Sequence, residues 1–178
     1  MVIGICGKSG SGKSTFASRL SNKFYHLDVD KIGHLVLTFD EVKKELVSSF
    51  GNDILCGNVV DRKKLSNIVF DSKDKMDILT GITWKYMKIE IDKILDSRDN
   101  VVIDWLLLPK TEFFEKCDIK ILLDVPYDIR KERITKRDNI TLEDFELREK
   151  ATYNYDKNTF DVVISNEEDF EREVIKYE

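Results

Sequence analysis

The chain has 178 residues, the size of a single domain that can bury a hydrophobic core. Hydrophobic residues make up 42% of it and charged residues 35%, and no apolar run reaches the length of a transmembrane helix, so the composition argues against a membrane protein. The formal net charge of −5 argues against a general nucleic-acid-binding protein, because such proteins are usually basic.

Short apolar segments alternate with helical patterns along much of the chain, which predicts an α/β fold with a parallel sheet covered by helices on both faces. The segments with the character of buried strands are residues 2–6, 24–27, 101–103, 119–123 and 162–164. Helices are predicted at 16–20, 128–137 and 142–150, and from residue 167 onward.

Residues 31–98 interrupt this alternation. Apolar residues follow helical spacing around Val42 and Leu46, around Leu65 and Val69, and over a longer stretch from about residue 76 to 95. This region is predicted to be a helical insertion after the second strand. The chain has no internal repeat and no Pro/Gly/Ser linker, so one compact unit is expected.

A phosphate-binding loop is the strongest motif. Residues 7–14 match the pattern G-x-x-x-x-G-K-[ST] in full, between an apolar strand and an amphipathic helix. Backbone N–H groups of such a loop point at phosphate oxygens, and glycine allows the backbone angles that this requires. Lys13 is predicted to reach the β- and γ-phosphates of ATP or GTP, and the Ser14 hydroxyl to bind Mg²⁺. A plain glycine-rich turn is the alternative, but it needs neither side chain. The predicted ATP contacts in the loop are Ser9, Gly10, Ser11, Gly12, Lys13, Ser14 and Thr15.

Several aspartates come at or near the ends of predicted strands, where ligands bind in open α/β sheets. They are Asp28, Asp30, Asp104 and Asp124. Phosphoryl transfer uses a carboxylate to orient or deprotonate the acceptor hydroxyl, and Asp30 is predicted to do this with Asp28 close by. A strand-end aspartate can also cap a helix or form a turn, and this alternative stays open for Asp104 and Asp124.

A basic helix is predicted in this acidic chain at residues 130–137. Arg130, Arg133 and Arg137 are spaced so that one helical face carries three guanidinium groups. Arginine binds phosphate oxygens and stabilises the charge on a transferring phosphoryl group, which predicts an arginine-bearing lid over ATP. The alternative is a solvated charged face.

In their order along the chain, these motifs resemble the dephospho-coenzyme A kinase family. The resemblance includes Phe50-Gly51, the segment from Asp61 to Leu65, Val69-Phe70, the strand end at 104–107 and residues 161–166. It implies a three-layer P-loop kinase fold with a five-stranded parallel sheet, a helical acceptor-binding insertion and a lid. The implied organisation is one kinase domain over 1–178, with a core of 1–30 and 99–178, an acceptor subdomain of 31–98 and a lid at about 126–150.

The resemblance also implies the reaction: ATP-dependent phosphorylation of the 3′-hydroxyl of dephospho-CoA to CoA, the last step of CoA biosynthesis, with Mg²⁺ as cofactor. The residues that match catalytic positions are Asp30, Lys13 and Arg133. Arg133 and Arg137 match lid arginines that bind ATP, and Asn166 lies where the family places a residue near the adenine. The implied substrate-binding residues are Asp28, Asp30, Phe50, Gly51, Arg62, Leu65 and Asp104.

Some positions depart from the family pattern. Trp84-Lys85 replaces a His-Pro pair in the acceptor region, and the segment from Trp105 to Pro109 lacks the usual proline and glutamate positions. Two alternatives therefore stay open. The first is another P-loop small-molecule kinase acting on a nucleoside or nucleoside monophosphate, and the second is a nucleotide-binding regulator without catalysis.

The cysteines Cys6, Cys56 and Cys117 are too far apart for a zinc-ligand pattern and odd in number for a disulfide framework. With no secretory pattern at the first residues, this predicts a cytoplasmic protein. The expected partners are the small-molecule substrates ATP and dephospho-CoA, with no nucleic acid and no membrane, and the chain is expected to be a monomer or weak oligomer.

Overall fold

The computed structural model describes residues 1–70, 72–150 and 152–177, without the side chain of Arg148. The chain divides into two units. The first, called here the core unit, consists of residues 1–28 and 98–178, and the second, the helical unit, consists of residues 29–97.

The strands are, in chain order, β1 (Val2–Cys6), β2 (Tyr25–Asp28), β3 (Leu55–Cys56), β4 (Val59–Val60), β5 (Val101–Asp104), β6 (Ile119–Leu123) and β7 (Val162–Ile164). The helices are α1 (Lys13–Arg19), α2 (Val29–Val36), α3 (Asp40–Phe50), α4 (Arg62–Val69), α5 (Lys73–Ser97), α6 (Tyr127–Asp138), α7 (Leu142–Lys150) and α8 (Glu167–Ile175). Short 3₁₀ turns lie at 52–54, 108–110 and 157–159.

The core unit contains the predicted parallel sheet, with strand order β2-β5-β1-β6-β7. The prediction of an α/β fold with five parallel strands is confirmed. The second strand begins at Tyr25, one residue later than predicted, because the Phe24 N–H still donates to Leu20 O in the turn after α1, at 2.9 Å. The same strand extends to Asp28, which pairs in register with Asp104.

Both faces of the sheet are covered, which explains why its strands are apolar without alternation. Ile3 and Ile5 of β1 pack into a cluster with Phe16 of α1 and Val174 of α8. Gly4, between them, faces the other side, where a Cβ atom would lie 2.7 Å from Cys117 Sγ. No side chain larger than glycine fits there without displacing its neighbours.

In the helical unit, α2, α3 and α4 pack against the 25-residue helix α5. The helical patterns in the sequence correspond to α3, α4 and α5. Two features were missed. Helix α2 starts directly after β2, and β3 pairs with β4 in a small antiparallel hairpin whose turn has Gly57 at φ 59°. Strands of two residues are too short to show an alternating pattern. Within the described ranges, no helix combines the length and apolar content needed to cross a membrane.

Candidate active site

The phosphate-binding loop connects β1 to α1, and its conformation requires glycine at two positions. Gly10 has φ 78° and Gly12 has φ 97°, both in the region that residues with a side chain rarely adopt. A Cβ atom on Gly10 would also lie 3.0 Å from the backbone oxygen of Arg130 in α6. The loop turns tightly, because the Ser11 N–H donates to Lys8 O at 3.1 Å.

Ser11 places a hydroxyl inside this loop. Its Oγ is buried and has no hydrogen-bond partner among the described residues. A Cβ atom on Gly7 would lie only 2.5 Å from that Oγ, so the glycine keeps the space beside the hydroxyl open. An unpaired buried hydroxyl is costly, and a phosphate oxygen can accept a hydrogen bond from it. The loop interior therefore fits a phosphate group.

The two side chains at the start of α1 lie where the pattern predicts. Lys13 Nζ donates to Gly7 O at 2.9 Å, across the mouth of the loop. Ser14 Oγ donates to Asp104 Oδ2 at 3.0 Å, and His26 Nε2 lies 3.3 Å from the same oxygen. Asp104 is only 4% exposed. The end of β5 thus brings a buried carboxylate to the Ser14 hydroxyl, and His26 of β2 contacts the same oxygen.

A groove of about 510 Å³ lies beside the loop in the core unit. The predicted ATP-binding residues that line it are Gly10, Ser11, Gly12, Thr15, Arg133, Arg137 and Asn166. Ser9, Lys13 and Ser14 belong to the same loop but not to the lining of this groove. Phe170 of α8 also lines it, packed edge-on against Phe16 at 5.3 Å between ring centroids. Sequence reasoning missed Phe170, although it follows Asn166 by one helical turn.

Helix α6 turns two arginines toward this groove, not three. Arg133 Nη1 donates to Gly10 O at 3.3 Å. Arg137 also lines the groove and bonds the neighbouring Asp138 carboxylate at 2.7 Å, which raises the pKa of Arg137. Arg130, which the spacing places on the same helical face, does not line this groove. Its guanidinium is buried and donates to Val125 O at 3.0 Å, in the segment between β6 and α6.

Two further residues hold the loop in place and were missed in the sequence. Glu149 of α7 accepts hydrogen bonds from Lys8 and Arg130, which lie 141 and 19 positions away in the chain. Tyr155 accepts from the Gly7 N–H at 3.2 Å and donates to Leu106 O at 2.8 Å. No local pattern signals these contacts, since each one joins distant segments.

The residues implied for the acceptor side belong mainly to the helical unit. Asp30 is exposed in the first turn of α2, two residues after Asp28 ends β2. Phe50 ends α3, and Gly51 follows it with φ 83°. Within the same unit, Arg62 is exposed at the first position of α4, whereas the Leu65 side chain is 3% exposed and packs inside the unit.

Comparison with known proteins decides the family. A family model described as dephospho-CoA kinase matches residues 1–171. The chain belongs to the dephospho-CoA kinase family. It is therefore a kinase of the class that phosphorylates an alcohol group.

Individual relatives agree with this assignment. The dephospho-CoA kinase of Fusobacterium nucleatum is 35% identical over 178 residues, covering 96% of this chain and 92% of that protein. The structure of the dephospho-CoA kinase from Campylobacter jejuni is similar with a TM-score of 0.62 and 26% identity, over 98% of this chain and 94% of that one. A Thermus thermophilus protein shares the fold with a TM-score of 0.85 at 24% identity, over 99% of this chain and 95% of that one.

The departures from the dephospho-CoA kinase pattern lie at defined places. Trp84-Lys85 falls in the middle of α5, where Lys85 Nζ lies 3.4 Å from Glu45 Oε1 and Tyr86 Oη donates to the same oxygen at 2.7 Å. The segment after β5 supplies Leu106 O as the acceptor for Tyr155. Lys85 and the Leu106 carbonyl thus make contacts within their own units.

Proposed function

We propose that the protein transfers the γ-phosphoryl group of ATP to the 3′-hydroxyl of dephospho-CoA, giving CoA and ADP. The observation that carries the proposal is the groove in which the phosphate loop and two arginines of α6 face one cavity, in a chain of the dephospho-CoA kinase family. A loop of this kind binds phosphates, and arginines opposite it stabilise the charge that moves during transfer.

The nucleotide is held by the loop residues 9–15, whose backbone N–H groups bind the phosphates. Lys13 leaves Gly7 O to reach the β- and γ-phosphates, and Arg133 leaves Gly10 O to reach the γ-phosphoryl group. Arg137 adds a second positive charge. Asn166 is proposed to lie near the adenine. Its side chain accepts from the Asp169 N–H at 2.8 Å and so begins α8.

Mg²⁺ fits the oxygen donors beside the loop. The hydroxyl of Ser14 would bind the ion, and the Asp104 carboxylate that accepts from Ser14 would orient this hydroxyl. Among the described residues, no group of three or more His, Cys, Asp or Glu side chains could hold a metal by itself. Mg²⁺ usually binds through one or two protein oxygens together with substrate phosphates, and we propose that it arrives here with ATP. When bound, it neutralises charge on the β- and γ-phosphates.

Asp30 is proposed as the catalytic carboxylate. It orients the acceptor hydroxyl and takes its proton while the oxygen bonds to the γ-phosphorus and ADP leaves. Asp28, Asp104, Phe50, Gly51, Arg62 and Leu65 are proposed to shape the acceptor site. On this proposal residues 31–98 form the acceptor subdomain, and the lid at about 126–150 closes over ATP.

We further propose a cytoplasmic location. The thiols of Cys6, Cys56 and Cys117 are all free, which supports a reducing compartment. The protein is predicted to be a monomer or weak oligomer and to bind neither nucleic acid nor membrane.

An ADP-release assay with Mg²⁺, ATP and a panel of acceptors tests this function. Dephospho-CoA should support turnover, whereas adenosine and AMP should not. Asp30→Asn should reduce kcat by about 10²-fold or more, and Asp74→Asn, an exposed aspartate of α5, serves as the matched control. Turnover with a nucleoside but not with dephospho-CoA would favour the other small-molecule kinase. Tight ATP binding without any turnover would favour the regulator.

A further inference from the structure

Three charged side chains connect the phosphate loop to the two helices of the lid region. Lys8 lies in the loop, Arg130 in α6 and Glu149 in α7, and we call them the ionic clasp. Glu149 Oε1 accepts from Lys8 Nζ at 2.8 Å and from Arg130 Nη2 at 2.8 Å, and Oε2 accepts from Arg130 Nη1 at 2.8 Å. One carboxylate thus joins three segments of the chain.

The clasp is largely removed from solvent. The side chains of Arg130, Glu149 and Lys8 are 5%, 19% and 27% exposed. The pKa of Glu149 falls to about 2, because Arg130 and then Lys8 bond its ionised form. Glu149 therefore carries its charge throughout the pH range in which a kinase operates.

The geometry of the Arg130 fork restricts how α6 can sit on the loop. Besides Glu149, the guanidinium donates to Val125 O at 3.0 Å and to Ser9 O at 3.4 Å. Its bonds thus reach the segment between β6 and α6, the loop and α7 together. A bidentate pair of this kind fixes orientation as well as distance.

Arg133 lies one helical turn after Arg130, so the clasp sets its position. Its Nη1 bonds Gly10 O and lies 4.0 Å from where a Cβ atom on Gly12 would be. A rotation of α6 about its axis, or a shift by part of a turn, would carry this guanidinium away from the loop.

We propose that Glu149 is a positioning residue which, through Arg130 and Lys8, holds α6 on the phosphate loop so that Arg133 faces ATP. The inference rests on the proposed function for the identity of the nucleotide. Glu149 itself does not touch the nucleotide. Its contribution is to orient α6, whose Arg133 contacts the nucleotide.

A purely electrostatic role and a positioning role of Glu149 predict opposite changes in ATP affinity when this carboxylate is removed. Glu149→Gln deletes a negative charge near the phosphates and releases Lys8, and on electrostatic grounds both changes would tighten ATP binding. If the clasp positions Arg133, the same substitution weakens ATP binding, because α6 loses its attachment to the loop. The sign of the change in affinity therefore separates the two roles.

Isothermal titration calorimetry of the full chain with Mg²⁺ and a non-hydrolysable ATP analogue gives this sign. Glu149→Gln should raise the Kd about tenfold, the loss expected for charge-assisted hydrogen bonds. Glu115→Gln, which removes an exposed carboxylate paired with Lys120 at 3.0 Å, should leave it unchanged. An unchanged or lower Kd for Glu149→Gln would overturn the proposal, even if the variant melts at a lower temperature.

Arg130→Lys provides a second test that keeps the net charge. Lysine cannot form the fork to Glu149, so the Kd should again rise, whereas Arg98→Lys at an exposed site should not change it. In Lys8→Met/Glu149→Gln the losses should be less than additive, because Lys8 acts through Glu149. A normal Kd for Arg130→Lys, or full additivity, would contradict the inference.

The two proposals fail in different ways. These titrations contain no acceptor, so they do not depend on dephospho-CoA as substrate. A wild-type chain that binds the ATP analogue but phosphorylates no dephospho-CoA would contradict the proposed function only. Clasp variants that bind the analogue normally, in a chain that makes CoA, would contradict this inference only.

Discussion

One hydrogen bond of 3.0 Å, from Ser14 to Asp104, joins the phosphate loop to the end of β5. It sets the hydroxyl that is proposed to bind Mg²⁺, and the burial of Asp104 keeps this contact out of competition with water. His26 contacts the same carboxylate oxygen from β2. At the scale of residues, the site thus depends on one carboxylate that several elements share.

Ser14→Ala should raise the Mg²⁺ concentration needed for half-maximal activity about tenfold, because the ion loses an oxygen ligand. The kcat at saturating Mg²⁺ should fall less. Initial rates across a Mg²⁺ titration measure both quantities. Ser18→Ala, at an exposed position of the same helix, is the control. An unchanged Mg²⁺ requirement in Ser14→Ala would exclude this residue as the ligand.

The ionised Glu149 should make stability depend on pH. Its pKa is lowered from 4.5 to about 2 in the folded chain, so the stabilisation by Lys8 and Arg130 is complete above the unfolded value and is lost as pH falls toward 2. Urea unfolding should show wild type more stable than Glu149→Gln by a constant amount above about pH 5, and by less near pH 3. A difference that stays constant down to that pH would contradict the shift.

At the scale of elements, the contact between the loop and α6 leaves no room for a side chain at Gly10. A Cβ atom there would lie 2.9 Å from Ile134 Cγ1 and 3.0 Å from Arg130 O. The same approach brings Arg133 within reach of the loop. The lack of a side chain at Gly10 therefore allows both the close packing of α6 on the loop and the position of Arg133 beside it.

Gly10→Ala should destabilise the chain by about 1–2 kcal/mol or more, because alanine must adopt φ near 78° and displace α6. Gly81→Ala is the control, since Gly81 lies inside α5 with nothing within 4 Å of its Cβ position. It should stabilise the chain by about 0.5–1 kcal/mol. Urea unfolding measures both free energies. Equal effects of the two substitutions would contradict the close contact.

Features that depend on consecutive residues could be predicted from the sequence. The loop at 7–14 needs only its own pattern and the strand and helix beside it. Periodicity places Arg130 on one face with Arg133, but it does not indicate that Arg130 is buried and bonds to Glu149. Long-range polar contacts have no periodic signature, so the clasp and Tyr155 could be found only in the folded chain.

At the scale of the molecule, the chain consists of a core unit that contains the groove beside the phosphate loop and a helical unit of residues 29–97. The helical unit was recognisable because helical spacing replaces the strand pattern after β2. The hairpin at 55–60 and the early start of α2 could not be recognised in the sequence, because both lie within a few residues of other elements. Asp30 is the second residue of the helical unit, two positions after Asp28 ends β2.

Binding of Mg²⁺ and ATP should stabilise the folded chain. At a ligand concentration of about 100 times Kd the gain is about 2.7 kcal/mol, which corresponds to a rise in Tm of about 5–10 °C for a chain of this size. Differential scanning calorimetry measures the rise. The rise in Tm should be small for Lys13→Met. A wild-type chain without any rise would argue against ATP binding in the groove beside the phosphate loop.

Transfer of the γ-phosphoryl group itself tests the central claim most directly. With [γ-³²P]ATP, Mg²⁺ and dephospho-CoA, the label should appear in a product that co-elutes with CoA and loses its label to a 3′-nucleotidase. Asp30→Asn should slow labelling by about 10²-fold or more. Label that stays in ATP and inorganic phosphate, or that enters dephospho-CoA at another position, would contradict the assignment of this chain as the enzyme that completes CoA.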